Sequence, residues 1–226
     1  VVTENNSNEL TTVVPDGASS FIPFKNIKME MIPKMATIST HLSTWPSHSP
    51  IVTDAKGTDL ASVLLLASLH NRAVHVTDVS TREDIVLIAL SKEKGLKVTC
   101  DVAVYALFLN SNDMNDATNI LPSLSDQAAL WEYLESIDCF SVGTLPYRLS
   151  QSFGFDAPVS TGIEETLPLL LNAVNEGKLT LDDIKTRLYM NPQSIFNIPE
   201  QPDTYVEVEI DRKVIVAQKE GGWTPF

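Results

Sequence analysis

The sequence predicts an α/β fold with a parallel sheet, built as part of a (β/α)₈ barrel. Two observations predict it. Between Ile51 and Asp101, apolar runs of strand length alternate with helical patterns in the order strand, helix, strand, helix, strand, as right-handed parallel crossovers require. Each of those strands also reads as ending on an aspartate, Asp54, Asp78 or Asp101, and the carboxyl ends of parallel strands are where such folds put their chemistry.

The 226 residues, 43% hydrophobic, suffice for one sizeable core and one domain. A formal charge of -13 argues against nucleic-acid and anionic membrane partners, which recruit clustered Lys and Arg. The longest apolar run, Leu60 to Leu69, is interrupted by Ser62 and Ser68 and is too short to cross a bilayer. The first ten residues are polar, with no initiating Met and no signal pattern, and read as a start in mid-chain. Cys100 and Cys139 each sit in apolar strand company, where reduced buried thiols of a cytoplasmic protein are expected; a disulfide or redox pair is the alternative.

Residues 1–17, rich in Asn, Thr and Ser and closed by Pro15-Asp16-Gly17, predict a loop or weak helix. Ser20 to Phe24 reads as a short strand, and Met31, Met35, Ile38 and Leu42 have near-helical spacing. After the Trp45-Pro46 break, Ile51 to Thr53 is a strand and Asp59 to Leu69 a helix. Ala73 to Val79 is the next strand. Ser80-Thr81-Arg82-Glu83 then caps a helix bearing Ile85, Ile88 and Ala89 and stopped by Gly95.

Lys97 to Val104 is a strand, Asn110 to Asp126 a loop, and Ser125 or Asp126 the cap of a helix to about Glu135. Cys139 to Val142 is a strand, residues 149–161 a loop, and Thr161 to Gly177 an apolar helix. Thr180 with Asp183 caps a helix to about Met190, and Asn191-Pro192 begins another turn through Phe196. Tyr205, Val206, Val208 and Ile210 suggest a strand outside the sheet, within an extra-barrel region spanning 203–217. About five barrel strands result, whereas a closed barrel has eight over about 250 residues. The expectation is therefore an incomplete barrel, about strands 4 to 8, lacking roughly its first third.

Three strand-end aspartates could offer oxygen ligands to Mg²⁺ or Ca²⁺, although acidic residues there also serve as caps and turn formers. The histidines form no HxH or HExxH pair, and His75, inside a strand, reads as a pleat histidine with one hydrogen bond. No GxSxG elbow, GxxxxGK loop or GxGxxG turn occurs, so neither a serine nucleophile nor a nucleotide cradle is indicated.

Four segments, Thr44-Trp45-Pro46-Ser47-His48, Ile137-Asp138-Cys139-Phe140, Glu165-Thr166-Leu167-Pro168-Leu169-Leu170-Leu171 and Asp203-Thr204-Tyr205-Val206-Glu207-Val208, resemble the dihydroorotase-like domain of the multifunctional pyrimidine-synthesis proteins of the CAD type. Active members of that family are zinc amidohydrolases on a (β/α)₈ barrel. The resemblance places their zinc-binding histidines at Asp54 and Asp78. It places their Asp-His-Ala-Pro-His run, whose Asp is general base and zinc ligand, at Gly143-Thr144-Leu145-Pro146-Tyr147. The carbamylated Lys that bridges their metals falls on Ser20, and a Pro-His-His becomes Val104-Tyr105-Ala106. Asp101 resembles an acidic position that active relatives keep.

What the resemblance implies is the catalytically inactive form of the domain found in fungal multifunctional proteins. Such a domain has no metal, no cofactor and no catalytic residues, and keeps only degenerate positions Ser20, Asp54, Asp78, Gly143 and Thr144. It implies a structural linker and oligomerisation module, a homodimer in the cytoplasm, between carbamoyl phosphate synthetase and aspartate transcarbamoylase. The alternative is a working metal-dependent amidohydrolase with atypical carboxylate ligands Asp54, Asp78 and Asp101. Dihydroorotase chemistry needs a metal to make hydroxide near neutral pH and a carboxylate to shuttle the proton.

Overall fold

A computed structural model describes residues 25–27, 35–47, 51–113, 121–143, 162–200 and 202–210. The expectations for residues 1–17, the strand Ser20 to Phe24, the loop 149–161, Ser20 and Thr144 lie outside the described residues.

Five strands form one parallel sheet in the order β1-β2-β3-β4-β5. They are β1 (Lys25–Ile27), β2 (Ile51–Thr53), β3 (Val74–Val76), β4 (Val98–Ala103) and β5 (Cys139–Ser141). Each strand pairs with its sequence neighbours, with no reversal of order. A doubly wound sheet reverses at a switch point, whereas a barrel wall runs on in sequence. The expected partial barrel is thus what the chain forms.

Helices α1 (Met35–Thr44), α2 (Gly57–Leu69) and α3 (Arg82–Glu93) connect the first four strands. Their apolar faces meet the strand positions that point to the helix layer. Leu60, Val63, Leu64, Ile85 and Ile88 share one core with Val74, Val76, Val98, Cys100, Val102 and Phe140. The alternate positions of the same strands, His75, Thr99, Asp101 and Ser141, are polar and share the opposite face, as a two-residue period demands.

Caps explain where the helices begin. Thr81 accepts from the Asp84 amide at 3.2 Å, and Asp84, itself buried, also accepts from the Gly57 amide at 2.7 Å. The Asp84 carboxylate thus caps the first turn of α2 and, by accepting from Thr81 Oγ1 at 2.7 Å, also holds the side chain that caps α3. The capping pair expected of Ser80 and Glu83 is corrected by one residue, to Thr81 and Asp84. Gly95, at φ +78, follows α3 as expected.

β4 passes directly into α4 (Val104–Phe108), a short buried helix; the sequence reading gives Val104 to the strand and assigns no element to residues 105–109. Ser123 caps α5 (Leu124–Glu132) through a full capping box with Asp126. The cap is thus Ser123, not Ser125 or Asp126, and Asp126 is its reciprocal acceptor. A 3₁₀ turn, Leu134–Ser136, replaces the expected last turn of this helix.

Helix α6 (Ile163–Asn175) follows Gly162, which holds φ +71. Thr180 and Asp183 make the expected capping box on α7 (Leu181–Lys185). A π turn, Thr186–Met190, joins it to α8 (Asn191–Phe196). The strand expected at Tyr205 to Ile210 is not formed: residues 202–210 carry turns and irregular backbone and are exposed. A strand needs a neighbour to take its N–H and C=O groups, and no described segment pairs with this one.

Candidate functional site

The strand ends do not present three equivalent carboxylates. Asp54 follows β2 by one residue and is exposed, while Asp78 follows β3 by two and is half-buried at φ +56. Asp101 does not end its strand: β4 continues through Val102 and Ala103, and Asp101 is buried inside it. Val102 is β-branched and apolar like Val98, so the local pattern carries the ladder past Asp101.

Both oxygens of Asp101 are taken by the protein. Oδ1 accepts from Ser141 Oγ at 2.6 Å and from the Asp78 amide at 3.2 Å, and Oδ2 pairs with His75 Nε2 at 3.1 Å. The other ring nitrogen, His75 Nδ1, meets Thr99 Oγ1 at 2.9 Å. His75 thus uses both nitrogens, not the single hydrogen bond expected of it, and Phe196 stands edge-on to its ring at 5.3 Å. The result is a satisfied polar strip joining β3, β4 and β5.

Serine, histidine and aspartate are all present in this strip, but in the wrong order for nucleophilic catalysis. A triad passes the serine proton to histidine and uses the acid to orient that histidine. Here Ser141 and His75 occupy different oxygens of Asp101, so the serine has a carboxylate and not an imidazole as acceptor. Burial pushes the Asp101 carboxyl up, and the hydrogen bonds from His75, Ser141 and the Asp78 amide outweigh it, leaving the group below the ordinary carboxylate value. A depressed folded value stabilises the fold above the unfolded pKa of about 4 and loses that contribution as pH falls through the folded value. The stability lost in Asp101→Asn relative to the native residue should therefore be largest above about pH 5 and shrink below about pH 4, as read from urea midpoints across that range.

Gly143 lies two residues beyond β5 at φ +64. A Cβ placed there would come within 2.9 Å of Ala103 Cβ and 3.2 Å of Asp78 Oδ1. Asp78, Asp101 and Gly143 are therefore neighbours. Among the described residues, no three His, Cys, Asp or Glu side chains are grouped to hold a metal ion.

Lys56, which the sequence reading passed over, directs its ammonium to the carbonyl of Asp78 and lies 3.5 Å from that of Thr77. Nothing in the local pattern marks it. Ser141 and Thr99 were also missed, although strand alternation with Asp101 places both on its face once the register is known.

Set beside known proteins, the chain has close relatives. No protein-family model matches it. The multifunctional protein pyrABCN of Emericella nidulans is 53% identical over 226 residues, 100% of this chain and 10% of that relative. Multifunctional protein URA2 of Saccharomyces cerevisiae is 43% identical over 224 residues, 99% of the chain and again 10% of the relative. Among solved structures, the inactive dihydroorotase-like domain of a Chaetomium thermophilum CAD-like multifunctional protein aligns with a TM-score of 0.74 and 51% identity, over 78% of this chain and 53% of that one. The chain belongs to the dihydroorotase-like domains of the fungal CAD-type multifunctional proteins.

This dihydroorotase-like chain spans about half of that solved domain and a tenth of the curated relatives. An L-hydantoinase of Arthrobacter aurescens, 20% identical with a TM-score of 0.59, shares the fold. The zinc that the fold family implies does not fit the described residues: the Asp101 oxygens are occupied by protein donors, and a side chain at Gly143 would meet Ala103. Soft or borderline ions also prefer imidazole and thiolate to exposed carboxylate.

The two cysteines of the dihydroorotase-like chain are free thiols and buried, with no disulfide between them. Burial, with the Asp138 charge beside it, pushes each thiol up to about 12. Neither should react with an aromatic disulfide reagent in the native fold at neutral pH, and both should react once the chain is unfolded in guanidinium.

No described helix is long and apolar enough to cross a membrane.

Proposed function

We propose that this domain is catalytically silent and serves as a folded connector and dimerisation module within a cytoplasmic multifunctional protein of pyrimidine synthesis. Its flanking partners are carbamoyl phosphate synthetase and aspartate transcarbamoylase regions of the same polypeptide, and residues 1–226 are one continuous segment of a single barrel. The observation that carries the reading is the closure at Gly143. The position that the resemblance gives to the general base has room for no side chain, because Ala103 Cβ and Asp78 Oδ1 already occupy it. Asp54 and Asp78 stand where the resemblance puts zinc-binding imidazoles, and Ser20 and Thr144 fall at two further positions of the lost site.

The complete polypeptide should carry no zinc at this domain above background and should not hydrolyse dihydroorotate. Stoichiometric zinc together with measurable hydrolysis would establish the working amidohydrolase instead.

The outer face of α2 supports the dimer. Leu65 and Leu69, one helical turn apart, are 56% and 72% exposed, and Asp59 is the sole charged residue of that helix. In a chain of net charge -13, two copies repel over most of their surface, and a nearly uncharged apolar face is where they can meet. Leu65→Glu should convert the complete dihydroorotase-like domain from dimer to monomer, weakening association at least about tenfold in sedimentation velocity while leaving the fold intact. A dimer of unchanged affinity would move the interface elsewhere.

A further inference from the structure

The main chain at Asp78 is gripped from two sides. Asp78 holds φ +56, a left-handed conformation that non-glycine residues seldom take and that persists only where neighbours fix it. On one side its N–H donates to Asp101 Oδ1 at 3.2 Å. On the other its carbonyl accepts from the Lys56 ammonium, which also reaches the Thr77 carbonyl at 3.5 Å. Lys56 stands three residues beyond the end of β2, so this contact ties the exit of β2 to the exit of β3. An exposed lysine ordinarily leaves its strongly hydrated ammonium in water. Here it is aimed at two consecutive main-chain acceptors, beside an edge that carries the carboxylates of Asp54 and Asp78.

We propose that Lys56 supplies at the strand ends the fixed positive charge that a bound cation supplies in a metal-holding barrel, and that this ammonium clamp holds the β2 and β3 exits in one arrangement. The inference rests on the reading of the domain as silent: the same edge cannot hold both the ammonium on those carbonyls and a metal drawing Asp78 away from them. Cations and carbonyl oxygens make charge-assisted hydrogen bonds, stronger than neutral ones, which suits a contact that spans two loops.

The test is hydrogen exchange, followed by mass spectrometry on the complete polypeptide, in peptides covering residues 54–60 and 77–82. Lys56→Met, which keeps the stem and removes the charge, should speed exchange in both peptides about tenfold. Lys56→Arg should restore most of the protection, and exchange in the native protein should be the same with added zinc chloride or with a chelator. Unchanged exchange in Lys56→Met would overturn the clamp while leaving the silent reading in place. Zinc slowing exchange in the native protein would overturn the silent reading. Faster exchange that extends equally to α6 in Lys56→Met would also overturn the clamp, because the lysine would then support the whole fold and not these two loops.

Discussion

Arg187→Met should lower the unfolding free energy of the complete domain by about 2–4 kcal/mol, seen as a lower urea midpoint at unchanged slope. The guanidinium is buried and makes three hydrogen bonds. Nε donates to the Ile137 carbonyl at 3.0 Å, one terminal nitrogen donates to the Leu134 carbonyl at 3.2 Å, and the other bonds Asp183. Its centre also lies 5.8 Å from the Phe140 ring centroid. Methionine keeps the apolar stem but leaves both carbonyls without these donors just before β5.

Asp183 would not be stranded by this change, since Thr180 still donates to it through N at 2.8 Å and Oγ1 at 2.6 Å. The Leu134 carbonyl likewise keeps the Ile137 amide at 3.0 Å, so the loss is assigned mainly to the Ile137 carbonyl. Arg187→Lys should recover only part of it, because one ammonium cannot reproduce a planar fork that serves three separate acceptors. The exposed pair Arg82 and Glu132, 3.3 Å apart with side chains 52% and 57% exposed, is the contrast. Breaking it should move stability by no more than about 1 kcal/mol.

The reach of Arg187 also marks what was and was not legible in the sequence. The capping box at Thr180 and Asp183 could be read, because a cap is a contact between residues three apart. The π turn that follows could not, since its extra residue per turn goes with a guanidinium bonded to carbonyls 50 and 53 residues earlier. The same division runs through the strands. The order and direction of β2 to β5 were written in local alternation, and the sheet has that order, whereas β1 at Lys25–Ile27 lies beyond the strand read at Ser20 to Phe24.

Which partner each inward side chain finds depends on register. Asp101 meets Ser141 only because Asp101 sits opposite Cys139 and Ala103 opposite Ser141, a pairing between segments 38 residues apart. Reading Asp101 as a strand end failed for a related reason: an acidic residue looks like punctuation, but a buried carboxylate supplied with three donors can stay within the ladder. The positions that the proposed function assigns to a former site come from resemblance alone. Their closure was not visible in the sequence, because the contact between Gly143 and Ala103 joins two strand exits whose separation no spacing rule gives.

That contact leads to the second large effect. Gly143→Asp, which would put a carboxylate where the resemblance places the general base, should destabilise the complete domain by about 2–4 kcal/mol and should not bring zinc with it. Two separate penalties combine. Any L residue at φ +64 occupies a disfavoured left-handed region, costing on the order of 1 kcal/mol. Its Cβ must also displace Ala103 Cβ, 2.9 Å away, and an alanine methyl on a strand has no torsion with which to retreat. Because both penalties arise at Cβ, Gly143→Ala should cost most of what Gly143→Asp costs. The aspartate adds its carboxylate beside Asp78 Oδ1, and that like-charge contact should ease as the pH is lowered through the carboxylate range. Ala103→Gly removes the opposing methyl and should return part of the loss when combined with Gly143→Asp, giving a coupling of about 1 kcal/mol or more in a double-mutant cycle. If Gly143→Asp were as stable as the native chain, the exit of β5 would have to be free to move away from Ala103, and the closure on which the silent reading rests would fail with it.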